Sequence, residues 1–263
     1  MLISISSYVS VAVFCVGIIY RVLKWLAIPV PTIIMLTPAP ITRTGVATRL
    51  AVEFLSFASL RKAGRKLWLG GWLFHLLLGI TLATHIVTLF FPVIWSTLGY
   101  TWYEAAGYAG ILFAAVILFL LFRRLVHPGI HYFSKYSDYF LILLVLSVTF
   151  AGDYVRAFGK LDQAAVSTYL TGLLTLQPVL PPSNAVFLTH FLLAQLLLMY
   201  IPFSKVTHLV GWVLAPTRNQ RNVGRSEWHR NPWNPAVELE PFESYAARYQ
   251  RELEELGPGG ERR

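Results

Sequence analysis

The sequence predicts an all-α membrane protein with five transmembrane helices and a polar C-terminal tail. Three observations predict it. Of 263 residues, 56% are hydrophobic and only 13% charged, about half the charged share of an ordinary soluble domain. Five stretches reach the ~20 largely apolar residues that a bilayer crossing needs. The basic residues alternate between the connecting segments, as they do where loops lie on alternate membrane faces. The mean hydropathy of +0.56 agrees. A disordered chain and a disulfide scaffold are excluded, the latter because Cys15 is the single cysteine. One cysteine and no C-x-x-C-H also exclude an iron–sulfur cluster held by this chain alone and a covalent haem. The net charge of +9 reads as basic loops on one membrane face, not as nucleic-acid binding.

The first span runs from about Ile3 to Trp25. No basic residue precedes it, and Arg21 and Lys24 follow its apolar stretch. That is the pattern of an uncleaved anchor with its N-terminus outside. Pro29, Pro31, Pro38 and Pro40 then break any continuing helix. Val46, Leu50, Phe54 and Phe57 recur at helical spacing among Arg49, Arg61 and Lys62. They predict an amphipathic helix, lying either on the inner membrane surface or against the spans of the same chain. The second span, Leu67 to Pro92, contains no Asp, Glu, Lys or Arg. The third runs from Ala105 to Phe122 and the fourth from Tyr139 to Phe158. The segment from Lys160 to Pro182 is moderately apolar and predicts a short cap over the outer end. The fifth span, Asn184 to Trp212, carries only Lys205, with a kink expected near Pro202. Residues 1–215 thus form the membrane domain. Residues 216–263 form a polar tail with a short charged helix near Tyr245 to Leu256, suited to docking a partner.

Eight basic residues lie around the connection between spans one and two, three between spans three and four, and nine from Lys205 onward. Only Arg156 and Lys160 lie on the other side. The positive-inside rule puts the N-terminus outside and the C-terminus in the cytoplasm, in a cytoplasmic (inner) membrane.

Four of the seven histidines fall inside spans: His75 and His85 in the second, His190 and His208 in the fifth. Ionisable side chains at membrane depth are costly and mark function. Neutral imidazole is a common axial ligand of haem iron. The second span runs inside to outside and the fifth outside to inside. His75 therefore faces His208, and His85 faces His190, as two bis-histidine sites stacked across the bilayer. The spacings of ten and eighteen residues correspond to about 15 Å and about 27 Å of helical rise. Tilt, the kink near Pro202 and inclined haem planes would have to absorb the difference. Polar glue between helices is the alternative for a single histidine; two per span in antiparallel register favour a dihaem core between spans two and five. Gly70, Gly71 and Gly79 would give a macrocycle room, or simply let helices pack closely.

These residues resemble a known family. Gly71-Trp72-Leu73-Phe74-His75 followed by His85, and Thr189-His190 followed by Thr207-His208, look like spans two and five of the gamma subunit of respiratory nitrate reductase, over about Leu67 to Leu214. The resemblance implies a five-span dihaem cytochrome b that oxidises quinol at the outer side and passes electrons to a cytoplasmic iron–sulfur subunit. Three stretches look closer still to the M subunits of the Dsr membrane complexes of sulfur-metabolising bacteria and archaea. They are Thr37-Pro38-Ala39-Pro40-Ile41-Thr42-Arg43-Thr44-Gly45, Trp68 to His75, and Pro216-Thr217-Arg218-Asn219-Gln220-Arg221-Asn222. That resemblance implies two non-covalent haems b and exchange of electrons between menaquinone and a cytoplasmic iron–sulfur subunit like heterodisulfide reductase. It also implies further membrane or periplasmic subunits and a role in dissimilatory sulfur metabolism. By match to the motif, His75 and His208 are the implied ligands of an inner haem, and His85 and His190 those of an outer one. The nitrate-type subunits use a lysine near the outer start of span three for quinol. Here that place holds Trp102, Tyr103 and Glu104.

A quinol site needs a proton acceptor and an apolar slot. Glu104 and Asp153, with Tyr108, sit near the outer ends of spans three and four and are the candidate proton groups. Asp153 and Arg156, three apart, would alternatively pair on one helix face, and Glu104 would be a solvated helix-start charge. Arg65, Lys66 and Lys205 either meet haem propionates or serve as inside charges. His127, His131 and His229 read as solvated, and Trp95, Tyr100 and Trp212 as interface anchors. The chain reads as an electron-transfer subunit, not a stand-alone enzyme. Its rivals are a nitrate reductase gamma subunit, a transporter with a histidine relay, and a haem-carrying assembly factor. Broken helices and inverted repeats would favour the transporter, and the sequence displays neither.

Overall fold

The computed structural model describes residues 1–28, 39–90, 92–159, 161–222 and 240–256. Pro29, Pro31, Pro38, Lys160, His229 and the start of the Thr37–Gly45 stretch lie outside the described residues, as do the side chains of Trp95, Tyr100, Trp102 and Tyr103. The described residues are helical, without strands, and five helices are long and apolar enough to cross a bilayer. They belong to two units, Met1–Arg221 and Asn222–Arg263.

Helix α1 is Leu2–Ala27. Most of its apolar surface is exposed, as befits a lipid-facing helix. Its buried residues are polar: Ser4, Ser7 and Ser10, one turn apart on one face. Small side chains let two backbones approach where lipid supplies no hydrophobic drive for association. Ser6 Oγ donates to Gln195 Oε1 at 2.7 Å, and Gln195 Nε2 donates to Ser7 Oγ at 3.0 Å. A polar seam thus joins α1 to the fifth span.

Helix α2 is Arg43–Ser56, capped by Thr42, whose Oγ1 accepts from the Gly45 N–H at 3.0 Å. Helix α3 is Ala58–Ala63. Of the predicted amphipathic stripe, Val46 is buried and Phe54 packs its ring 5.7 Å from that of Trp212, so one face rests on the chain itself. Phe57 ends α2 in the left-handed region at φ 48°, which costs a bulky residue energy. Glu53 accepts from the Ser59 N–H at 3.1 Å and so holds the start of α3 to α2. Burial pushes its carboxyl up, but the Ser59 hydrogen bonds and the charges of Arg218 and Lys62 outweigh that and hold it below the ordinary value of 4.5. A carboxyl depressed by folding stabilises above its unfolded pKa, and the contribution is lost as pH falls through the folded value. Amide protection factors in α2 and α3, which allow for the intrinsic slowing of exchange in acid, are therefore expected to fall below about pH 4.5. Glu53→Gln should remove that pH dependence.

Helix α4, Arg65–Phe90, is tied to α2 by two indoles. Trp68 Nε1 donates to Ser56 O at 2.7 Å and Trp72 Nε1 to Leu55 O at 2.9 Å. Helix α5, Pro92–Val126, opens on proline, whose missing N–H costs nothing in a first turn. Helix α6 is Pro128–Phe133 and α7 is Tyr136–Phe158. Leu77 of α4, Phe113, Val116 and Ile117 of α5, and Leu146 of α7 form the apolar core. Helix α8, Gln163–Leu174, is capped by Asp162. It packs as a cap on one end of the spans: Tyr169 is fully buried against Phe187 and Phe191, and Tyr8 donates to Leu173 O at 3.1 Å.

The fifth span departs from expectation. Helix α9 is Ala185–Tyr200, capped by Asn184, and it does not run on to Trp212. Two 3₁₀ turns follow, Ile201–Phe203 and Lys205–Thr207, separated by extended Ser204 (ψ 176°); helix α10 is then His208–Leu214. Pro202 lacks the N–H that an α-helical ladder would use here, and its ring crowds the preceding turn. The expected kink is a break. Helix α11 is Pro216–Asn219, and Arg49 Nη2 donates to the Thr217 and Arg218 carbonyls at 3.0 and 2.9 Å. Backbone neighbours run in the order α4, α5, α7, α9, α1, and among the described residues α4 and α9 are not one of the closely packed helix pairs. In the second unit, the charged segment forms two short helices, α12 (Phe242–Arg248) and α13 (Gln250–Leu256). Arg248 pairs there with Glu240 at 2.6 Å.

Candidate cofactor and substrate sites

The gap between α4 and α9–α10 holds the four histidines. The His75 and His208 rings are 6.0 Å apart between centroids, and so are the His85 and His190 rings. These are the two pairs that the antiparallel order of the spans predicts. They form although ten residues separate one set and eighteen the other. The first ten lie in unbroken α4, so the surplus length is taken up by the break at 201–207.

Each ring is set in one tautomer by its backbone partner. Nδ1 of His75 lies 2.7 Å from Gly71 O, that of His85 2.7 Å from Thr81 O, that of His190 3.0 Å from Val148 O and that of His208 2.8 Å from Lys205 O. A carbonyl only accepts, so each Nδ1 is the donor, and each neutral ring keeps its lone pair on Nε2. That is the second-shell arrangement of a metal-binding imidazole. Two imidazoles on opposite sides of one metal, each with nitrogen about 2 Å from it, have centroids about 6 Å apart. Among the described residues no third His, Cys, Asp or Glu joins either pair. A bare ion such as zinc wants about four protein ligands. The donor set fits a metal that brings its own equatorial ligands, as haem does.

Other residues shape the pairs. Phe57 sets its ring edge-on to His75 with centroids 4.9 Å apart, and its left-handed backbone puts it there. Gly152 of α7 lies under His190, where an added Cβ would stand 3.0 Å from Cε1. Of the three glycines weighed for a macrocycle, Gly70 packs on Phe119 and Leu120 and Gly71 lies against Leu60. Gly79, one turn beyond His75, has open space before it.

Glu104 and Asp153 come together in one cleft of about 110 Å³ between α5 and α7. Gly107, Tyr108 and Ile111 line it from α5, and Arg156 and Ala157 from α7. The glycines are seats: a Cβ on Gly107 would collide with Arg156, and one on Gly110 with Asp153. Asp153 follows Gly152 directly, so the cleft begins one residue from the contact with His190. Lys205 lies elsewhere, bound to Asp138 at 2.7 Å. His131 is exposed, and its Nδ1 meets Tyr139 Oη at 2.9 Å.

Sequence reasoning missed Gly152, Asp138 and the strained backbone of Phe57. Asp138 carried a signal, being a lone acid at the start of an apolar span. The other two carried none.

Residues 31–223 match the nitrate reductase gamma subunit family. The chain is similar to an Hdr-like menaquinol oxidoreductase cytochrome b-like subunit of Archaeoglobus fulgidus. The two are 32% identical over 87% of this chain and 82% of that protein. A protein of the same description from Archaeoglobus profundus is 27% identical over 88% of this chain and 82% of its own length. A match over most of the chain, with five apolar spans beneath it, makes this multi-pass membrane protein a member of the nitrate reductase gamma subunit family.

Proposed function

We propose that this chain is the dihaem cytochrome b subunit of a membrane oxidoreductase complex of dissimilatory sulfur metabolism. It exchanges electrons between menaquinone and a cytoplasmic iron–sulfur subunit like heterodisulfide reductase. The observation that carries the reading is the pair of facing imidazole pairs, each ring keeping its Nε2 lone pair. The similarity to Hdr-like menaquinol oxidoreductase cytochrome b-like subunits supports it.

His75 and His208 hold the haem at one level, and His85 and His190 hold the haem at the other. Bound there, haem supplies one-electron transfer across the bilayer. Two levels along α4, about 15 Å apart by helical rise, give electrons a path through the apolar interior. With the N-terminus outside, the His85–His190 level is the outer one and the His75–His208 level faces the cytoplasmic partner. The Glu104–Asp153 cleft binds the quinone head group, and one of these carboxylates takes or returns its proton beside the outer pair. Tyr108 and Ile111 offer the ring an apolar wall. The polar segment from Pro216 onward docks the partner.

The break in the fifth span is one feature that a transporter reading would claim. It is accounted for by the placement of His208, and a haem spectrum separates the two readings. Reduced-minus-oxidised and pyridine haemochrome spectra of the purified chain are expected to give two b haems per chain, and His85→Ala should leave one. An intact, folded wild-type chain without haem would overturn the cytochrome reading in favour of a histidine relay. For the cleft, Glu104→Gln and Asp153→Asn are expected to keep both haems. At least one of them should slow menaquinol-driven haem reduction by about 100-fold, the scale of a lost general base. Unchanged rates in both would move the quinone elsewhere.

A further inference from the structure

We infer that Asp138 is a positioning residue for the His75–His208 pair: by holding Lys205 it fixes the backbone carbonyl that orients His208. The inference rests on the proposed haem reading and deepens it.

Three of the four histidines take their orientation from continuous helix. His75 and His85 donate to carbonyls one turn back in α4, and His190 donates to Val148 of α7. His208 differs. Its Nδ1 donates at 2.8 Å to the carbonyl of Lys205, a residue inside the break. Residues 201–207 lack an α-helical ladder, so their place depends on tethers from neighbouring spans. Two tethers reach them. Arg21 Nε of α1 donates to Pro202 O at 3.1 Å. Lys205 Nζ lies 2.7 Å from each oxygen of Asp138, on α7.

The second tether is strong for a physical reason. The Asp138 side chain is 5% exposed and that of Lys205 66% exposed. The ammonium can be hydrated without Asp138, but the buried carboxylate depends on its partners. Arg124 Nη1 stands 3.5 Å from Asp138, and the Lys135 N–H donates to it at 3.1 Å. Arg124 is also engaged by Ser134 Oγ at 2.8 Å. Lys205 is thus the nearest cation on a buried anion, and pulling it away leaves that charge to Arg124 at 3.5 Å and one backbone N–H.

A capping role alone would explain the burial of Asp138 at the start of α7, and the two roles are separable. Asp138 stands at the third helical position and accepts the N–H of the capping residue Lys135; an amide oxygen there can accept the same bond, so Asp138→Asn keeps the cap and removes the charge. The experiment uses the His85→Ala background, in which only the His75–His208 haem remains, together with the full chain. Asp138→Asn and Lys205→Met are each expected to weaken retention of that haem by about tenfold, the lower end for lost second-shell support. Each should also broaden its low-spin ferric EPR signal, with the other haem unmoved in the full chain. The double variant should be no worse than either single one, and Lys205→Arg should restore the signal. A purely electrostatic influence would shift the midpoint potential in opposite directions in the two single variants, and that result overturns the inference. So does an unmoved signal in both, or an equal loss of both haems. Should Asp138→Asn fail to fold, Lys205→Met, altered at an exposed side chain, decides alone. Absence of haem from the wild-type chain would instead overturn the reading beneath it.

Discussion

His208→Ala is expected to leave the chain with one haem and to stop electron flow between menaquinone and the cytoplasmic partner. His208 contributes one of the two imidazoles of its pair, and no other His, Cys, Asp or Glu stands by to replace it among the described residues. The His85–His190 pair lies on α4 and α9, outside the break, and keeps its geometry. Menaquinol should therefore still reduce the remaining haem in a rapid-mixing experiment. Onward transfer in the assembled complex should fall by about 100-fold or more, equivalent to at least about 2.7 kcal/mol on the barrier. His85→Ala should give the converse, with slow haem reduction by menaquinol. If His208→Ala retained two haems with unchanged transfer, the assignment of that pair would be wrong.

The second large effect is expected at Gly152, a residue with no functional chemistry. An alanine Cβ there would stand 3.0 Å from His190 Cε1 and 3.3 Å from Nδ1. The ring is held to the same helix by the Val148 carbonyl, one turn earlier, so it cannot retreat without losing its tautomer-setting bond. Gly152→Ala asks for a shift of a few tenths of an ångström. Gly152→Leu cannot be accommodated and should weaken haem retention at the His85–His190 pair by 10- to 100-fold, on the order of what a lost second-shell partner costs. Haem titration would show one site weakened and the other unchanged. Equal weakening of both would point to a general packing defect in place of a ligand seat.

Much of this architecture could be read from the chain alone. Span length and loop charge are local properties, and bilayer thickness converts them directly into five helices. The pairing of the histidines needed only two facts more: two per span, and opposite chain directions. Glu104 and Asp153 stood out as carboxylates near the ends of two spans because ionisable groups at membrane depth are rare. That they share a cleft was not legible. It depends on Gly107 and Gly110 making room for Arg156 and Asp153 on a facing helix.

What the sequence determined by itself is the number of spans and which histidines share a level. The tertiary structure alone decided how those rings are held. Apart from Thr189, His190 and Gln195, helix α9 is apolar on every side, so the period of its apolar residues marks no face for a neighbour. In lipid, helices are sorted by small residues, shape and a few hydrogen bonds, not by burial of an apolar stripe. Gly152 beneath His190, Asp138 on Lys205 and the left-handed Phe57 against His75 are contacts of that kind. The ten-against-eighteen spacing was visible as a mismatch. Its resolution lay in a broken segment, where Pro202 removes the ladder and side chains from α1 and α7 set the path of the backbone.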